Sequence, residues 1–274
     1  DRSMKKLVAA LAAAALATVA VQAEETIVLD GSTTVGPIAK AFAQYYMQVN
    51  KDVNITVSES GSGNGAKSLL KGKCAIANMF RFMKEKEFKA CVDAGVYPVA
   101  HVVALDGLPV IVHPSNPVSA LTVDQVRDIY TGKISNWKQV GGPDREIVKI
   151  SRDTNSGTYE TFEKKVMNKE EIVGAEYVGS NGAVRARVQS TPAAVGYAGI
   201  GFLDKTVKAL KINDIMPSTD TVKTGVYPIA RPLYMFTNGS PKMGSHVYQF
   251  VNLYLTETGQ DLVEEIGFIP VTSY

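Results

Sequence analysis

A chain of 274 residues, 45% hydrophobic and 20% charged, is longer than one compact core usually needs, so two lobes are expected. Twenty-nine Lys and Arg against 27 Asp and Glu leave a net charge of +2, which is no general field for nucleic acid or an anionic membrane. Two cysteines and three scattered histidines do not make a zinc centre, and any anion must be held by local geometry.

The N-terminal stretch sets the expected compartment. Met4-Lys5-Lys6 leads into an apolar run from Leu7 to Val21, and the small residues Val21 and Ala23 fit cleavage after Ala23. This is the pattern of a secretory signal peptide, with an apolar core too short for a comfortable membrane span. Residues 1–23 are therefore expected to comprise an expression remnant, Asp1-Arg2-Ser3, and a removable signal peptide. The first cysteine is Cys74, too late for lipid anchoring, so the mature chain is expected to be soluble, monomeric and exported, most simply to a periplasm. An oxidising compartment permits a disulfide between Cys74 and Cys91; two separately buried thiols are the alternative.

Short apolar strands then alternate with amphipathic helices. Ile27-Val28-Leu29 precedes the turn Asp30-Gly31-Ser32-Thr33-Thr34 and a helix carrying Ile38, Phe42, Tyr45 and Tyr46. Val53 to Val57 precedes the turn Ser58 to Gly65 and a short helix with Leu69 and Leu70. A third strand ends at Asn78, before Arg81 and a helix near Lys84 to Asp93. Val99 to Val112 is strongly β-like and meets His113-Pro114-Ser115-Asn116-Pro117, a candidate crossing between lobes. A helix over Val123 to Tyr130, Trp137 in a polar loop, a strand Ile147 to Ile150, and helices beginning near Ser156 and spanning Ala183 to Gln189 follow. Beyond the strand Val195 to Ala198, Tyr227-Pro228-Ile229-Ala230-Arg231-Pro232 marks a return crossing, ahead of a strand Leu233 to Phe236 and a helix Val247 to Leu255.

The alternation predicts an α/β protein whose two lobes each hold a mixed, mostly parallel sheet flanked by helices, with a ligand in the cleft between them. The expected lobes are 24–112 with 232–274, and 113–231.

Ser151-Arg152-Asp153-Thr154-Asn155-Ser156-Gly157-Thr158 sets an arginine, hydroxyls and a glycine where a strand gives way to a helix. The first turn of a helix has amides without helical partners, and a guanidinium matches two oxygens of an oxyanion at once. Two more strand-to-helix turns repeat this chemistry, Asp30 to Thr34 and Ser58 to Gly65. Ligands of open α/β sheets sit outside the carboxyl ends of the strands, so all three loops could face one crevice. Gly61-Ser62-Gly63-Asn64-Gly65-Ala66 loosely matches a dinucleotide fingerprint, but the acidic residue such a site needs falls inside a charged helix, so no cofactor is expected. No Gly-x-Ser-x-Gly elbow or paired histidine accompanies these serines, and hydroxyls without a base suit binding better than catalysis.

The ordered set Asp30-Gly31-Ser32-Thr33-Thr34-Val35, Ser60-Gly61-Ser62-Gly63, Asp106-Gly107-Leu108 and Ser156-Gly157-Thr158 resembles the periplasmic phosphate-binding proteins of phosphate ABC importers, over nearly the whole mature chain. The resemblance implies a two-lobed type II binding-protein fold that closes on inorganic phosphate and delivers it to a membrane permease. It implies donors from Ser32, Thr33 and Thr34, from Ser60, Ser62 and the Gly61 to Gly63 backbone, and from Arg81, with Arg152, Ser156, Gly157 and Thr158 opposite. Asp106 is a candidate acceptor for the proton that phosphate carries and sulfate lacks, or else part of a turn between two β runs. Asp153 is expected to orient Arg152.

One position departs from the family. Its members usually read Ser-Arg where this chain has Phe80-Arg81, and a ring cannot hydrogen-bond an oxyanion. Either phosphate binds more weakly, or another oxyanion is preferred, or Phe80 points into the core. A secreted phosphoryl-transfer enzyme using the same grip is the alternative from another class.

Overall fold

Every second residue of the first strand, Ile27, Leu29 and Gly31, is buried, the period of a strand with one face on a core. Ile38, Phe42 and Tyr46 recur every fourth residue on the following helix and are buried likewise. The computed structural model describes residues 25–272, so the expected leader and its cleavage site lie outside the described residues. In chain order the first part comprises β1 (Glu25–Gly31), α1 (Gly36–Val49), β2 (Val53–Ser58), α2 (Ser62–Leu70), β3 (Ile76–Met79), α3 (Glu85–Asp93) and β4 (Pro98–Gly107). The second comprises β5 (Val110–Val112), β6 (Ala120–Leu121), α4 (Val123–Thr131), β7 (Val148–Arg152), α5 (Gly157–Phe162), β8 (Glu176–Val178), α6 (Asn181–Ser190), β9 (Ala194–Tyr197), β10 (Lys208–Ala209), β11 (Lys211–Ile212) and α7 (Thr219–Lys223). The chain ends with β12 (Ala230–Asn238), α8 (His246–Val251) and α9 (Glu257–Glu265).

Two five-stranded mixed sheets result, ordered β2-β1-β3-β12-β4 and β10-β5-β9-β7-β8, with a small β6-β11 ribbon beside them. In the first, β1 runs parallel to β2 and β3 while β12 is antiparallel to β3 and β4. In the second, β7 runs parallel to β8 and β9 while β5 is antiparallel to β9 and β10. The chain passes from the first sheet to the second between β4 and β5, over Leu108-Pro109. The chain rejoins the first sheet with β12, which begins at Ala230.

Register fixes what meets at the strand ends. Gly31 pairs with Asn78 and Arg152 with Val178, so the loops after β1, β3, β7 and β8 all leave from the same kind of edge, the carboxyl one. Gly31 has φ +133°, and a Cβ there would stand 2.2 Å from the Asn78 carbonyl oxygen, so only glycine lets β1 lie this close to β3.

Trp137, expected in a polar loop, is fully buried on a single 3₁₀ turn, Trp137–Val140, and its indole N–H donates to the Ala193 carbonyl at 2.8 Å. Replacement by alanine should lower stability by about 3–5 kcal/mol through the cavity it leaves, read as an earlier urea midpoint with an unchanged slope. α9 has no counterpart among the elements read from the sequence. Gly259 in its first turn weakens the helical signal, yet a Cβ there would meet the Leu253 carbonyl oxygen at 1.9 Å, so packing demands the residue that propensity disfavours.

Cys74 and Cys91 are both free and buried within one small apolar cluster beside α2 and α3, so the bridge considered above is not formed. Burial, with the nearby Asp30 charge, pushes the Cys74 thiol up to about 12, which makes it inert as a nucleophile.

Candidate functional site

The two sheets meet through side chains from the loops after β1, β3, β7 and β8. Thr33 and Thr34, between β1 and α1, reach three second-lobe groups. Arg152 Nη1 donates to Thr33 Oγ1 at 3.2 Å, Asn181 Nδ2 donates to Thr33 Oγ1 at 3.1 Å and to Thr34 Oγ1 at 2.7 Å, and the hydroxyls of Thr34 and Thr158 lie 3.2 Å apart. Ser32, Thr33, Thr34, Ser62, Arg152, Ser156 and Thr158 are all buried.

Five of these hydroxyls, those of Ser32, Thr33, Thr34, Ser62 and Ser156, share one property. Ser32 Oγ accepts from the Thr34 and Val35 amides, Ser62 Oγ from the Phe80 amide at 3.0 Å, and Ser156 Oγ from the Tyr159 amide. Thr33 and Thr34 accept from Asn181. A hydroxyl whose lone pairs are engaged by fixed N–H groups has its one proton left to give, so the cluster is polarised toward donation. Gly157 completes it from the start of α5. A Cβ there would lie 2.4 Å from Ser62 Oγ and 3.1 Å from Phe80 Cβ, so glycine is what lets the second-lobe helix end approach the first lobe.

Arg152 is held rigidly. Its Nε donates to Val178 O at 3.1 Å and its Nη2 to Gly179 O at 3.0 Å, while the expected orienting carboxylate, Asp153, stands 3.7 Å away. With the Thr33 bond, three of its five N–H groups are engaged. Burial lowers its pKa, against the charge of Asp153, and a guanidinium remains ionised throughout. Behind it the Tyr197 hydroxyl, 2.8 Å from Ser151 Oγ, accepts the Arg152 amide, and the Tyr197 ring stacks on Phe162 with centroids 3.8 Å apart, tying β9 to α5.

Asp106, at the end of β4, is completely buried. Its Oδ1 accepts the Ile200 amide of the second lobe at 2.8 Å, while Oδ2 has no hydrogen-bond partner among the described residues. A Cβ on Gly199 would stand 2.7 Å from that oxygen and 2.9 Å from the Thr34 methyl, which places the free oxygen beside the hydroxyl cluster. Burial pushes the carboxyl well above the usual range, against the amides of Ile200 and Gly107 and the charge of Arg231.

Three expected residues are placed differently. Ser60 is exposed and donates to Asp30 Oδ1 at 2.6 Å, because the turn after β2 folds back on β1 before α2 begins. Gly63 uses its amide on the Asn155 carbonyl across the cleft. Arg81 is buried but engaged by carboxylates, with both Nη atoms on Glu87 at 2.8 and 2.9 Å and further contacts to Glu160. Phe80 is fully buried in the main apolar cluster, with the Arg231 guanidinium 5.8 Å from its ring centroid, so it points into the core as the third of the readings above had it.

Asn181 was missed by the sequence reading, although Gly179-Ser180-Asn181-Gly182 is a strand-to-helix turn of the same grammar as the other three. Its Oδ1 accepts the Gly199 amide, which aims Nδ2 at the threonines. The grooves of about 340 Å³ on the outside of the first lobe, one lined by Lys40, Met47 and Ile55 and one by Leu69, Cys74 and Val96, gather no comparable set of buried donors.

The pattern of the PBP superfamily domain matches residues 17–258 of the chain. The phosphate-binding protein PstS of Bacillus subtilis is 33% identical over 256 residues, covering 92% of this chain and 82% of that protein. Among solved structures, a Clostridium perfringens substrate-binding protein with bound phosphate superposes with a TM-score of 0.83 at 32% identity, covering 90% of this chain and all of that one. An ABC-type phosphate transport receptor from Vibrio cholerae gives 0.72 at 31% identity, over 89% and 99%. The hydroxyl-lined meeting of two mixed sheets thus lies in a chain that belongs to the PBP superfamily and, within it, to the PstS family of phosphate-binding proteins.

Proposed function

We propose that this chain captures inorganic phosphate between its two lobes and delivers it, closed, to the membrane permease of an ABC importer, working as a monomer in the periplasm. The observation that carries this reading is the set of buried hydroxyls from both lobes whose lone pairs are already engaged by protein N–H groups, gathered beside Arg152. Ser32, Thr33, Thr34 and Ser62 give their protons from the first lobe. Arg152, Ser156, Thr158 and the first amides of α5 act from the second, with Asn181 holding the two threonines in place. Phosphate binds the closed form better because only there are both sets of donors in reach. The hinge is taken to be Leu108-Pro109 and the segment between β11 and β12.

Binding is favoured over catalysis by the same hydrogen bonds. Among the described residues, none of Ser32, Thr33, Thr34, Ser62, Ser156 and Thr158 has its hydroxyl bonded to a histidine or carboxylate that could take its proton; His101, His113 and His246 bond Thr237, Ser115 and Tyr46 instead. Calorimetric titration of anion-stripped protein should show saturable phosphate binding at one site per chain, with sulfate ineffective. If phosphate fails to bind while another oxyanion or an organic anion does, the reading is overturned.

A further inference from the structure

A second polar assembly crosses the cleft beside the hydroxyl cluster. Glu160 of α5, one turn beyond Gly157, enters a group of first-lobe cations. Its Oε2 meets Arg81 Nε, its Oε1 accepts from Arg81 Nη2 at 3.3 Å, and Lys84 Nζ lies 2.8 Å from Oε1. One residue on, Thr161 is met by Arg231 Nη1 from β12 and donates back to the Gly157 carbonyl at 2.9 Å. The Arg81 and Glu160 side chains keep only 5% and 11% exposure, so the pair is largely shielded from solvent ions.

We propose that Glu160 is a closure latch, a positioning residue that holds the lobes shut through Arg81 and Lys84, and that Arg81 serves this latch rather than touching the ligand. The proposal rests on the two-lobed binding reading above. Arg81 has a partner in both states, because Glu87 lies on its own lobe and grips it with both carboxylate oxygens. Among the described residues, both cations that pair with Glu160 belong to the opposite lobe. Opening returns its carboxylate to water, and closing exchanges that water for N–H donors of two cations. α5 couples the two events, since one rigid turn carries both Gly157 at the anion cluster and Glu160 at the latch.

A latch changes the closed fraction and therefore scales the apparent affinity for every ligand by one factor, whereas a ligand contact changes the ratio between ligands. Phosphate and arsenate titrations of Glu160→Gln are the test, with Lys84→Met as a second variant whose half-exposed side chain puts folding at no risk. At low salt E160Q should bind both anions about ten- to a hundredfold more weakly with their ratio unchanged. The gap to wild type should narrow only slightly in ~1 M salt, through the half-exposed Lys84 contact, because the buried Arg81 pair is screened little. K84M should show the same pattern, smaller. An unchanged Kd in both variants, or a shifted phosphate-to-arsenate ratio, overturns the latch. Wild type binding neither anion would instead refute the functional reading. The latch would then be decided by small-angle scattering at low salt, where Glu160→Lys must be more expanded than wild type and equal dimensions overturn it.

Discussion

Replacing Arg152 by methionine should remove phosphate binding across the range where wild type saturates. The loss is about 3–5 kcal/mol, on the order of a hundred- to several thousandfold in Kd, because a buried charged donor is withdrawn from an anion that has no water to replace it. The variant also loses the Thr33 bond between the lobes and the guanidinium bonds to the Val178 and Gly179 carbonyls, of which Val178 keeps the Asp153 amide, at about 1–3 kcal/mol of folding stability, so a thermal melt must accompany the titration. Arg152→Lys separates charge from shape. An ammonium has no planar fork and cannot hold two backbone carbonyls, a first-lobe hydroxyl and a ligand together, so R152K should still bind more weakly than wild type by about tenfold or more. Either variant binding phosphate as wild type does would remove Arg152 from the site.

The alternation of strand, polar turn and helix was legible because each piece is local: apolar period, small residues at the turn, a capping hydroxyl. The second-lobe jaw was readable on the same terms, Ser156 capping α5 through the Tyr159 amide where the hydroxyl pattern placed it. What escaped depends on partners far along the chain. Arg81 follows a strand end as a ligand residue would, yet Glu160, 79 residues later, helps decide its role, and no local pattern announces that pairing. Ser60 sits among glycines and serines like Ser62, but only Ser62 begins a helix and turns inward; Ser60 is drawn back to Asp30. Trp137 looks solvated beside its polar neighbours and is carried into the core by one 3₁₀ turn. Phe80 was the strongest objection to a phosphate site. Its ring belongs to the apolar core, and its amide supplies the bond that frees the Ser62 proton for donation.

On the proposed phosphate reading, selectivity is expected to turn on Asp106, whose Oδ2 is buried beside Thr34 with no partner among the described residues while Oδ1 is held by the Ile200 amide. An ionised carboxylate there can accept the P–OH proton of phosphate; opposite sulfate it would face a second unprotonated anion. Sulfate can therefore enter only if Asp106 itself carries the proton. Burial moves the carboxyl upward, so its protonated fraction grows as pH falls through that raised pKa and vanishes well above it. Rejection of sulfate by the wild type should accordingly be strongest at alkaline pH and weaken on acidification. Asp106→Asn replaces the titrating acceptor with a permanent N–H donor of the same shape. The variant should bind sulfate with little dependence on pH, and its preference for phosphate should fall by about a hundredfold or more, since a site that leaves a buried polar group unpaired discriminates by several kcal/mol. Phosphate itself can rotate its proton away and should lose only about tenfold. Competition titrations of both anions between about pH 5 and 8.5 read all three effects at once. A D106N protein that still rejects sulfate as the wild type does would reduce Asp106 to an anchor for the Ile200 amide at the crossing between lobes, and the discrimination would have to come from the donors facing it.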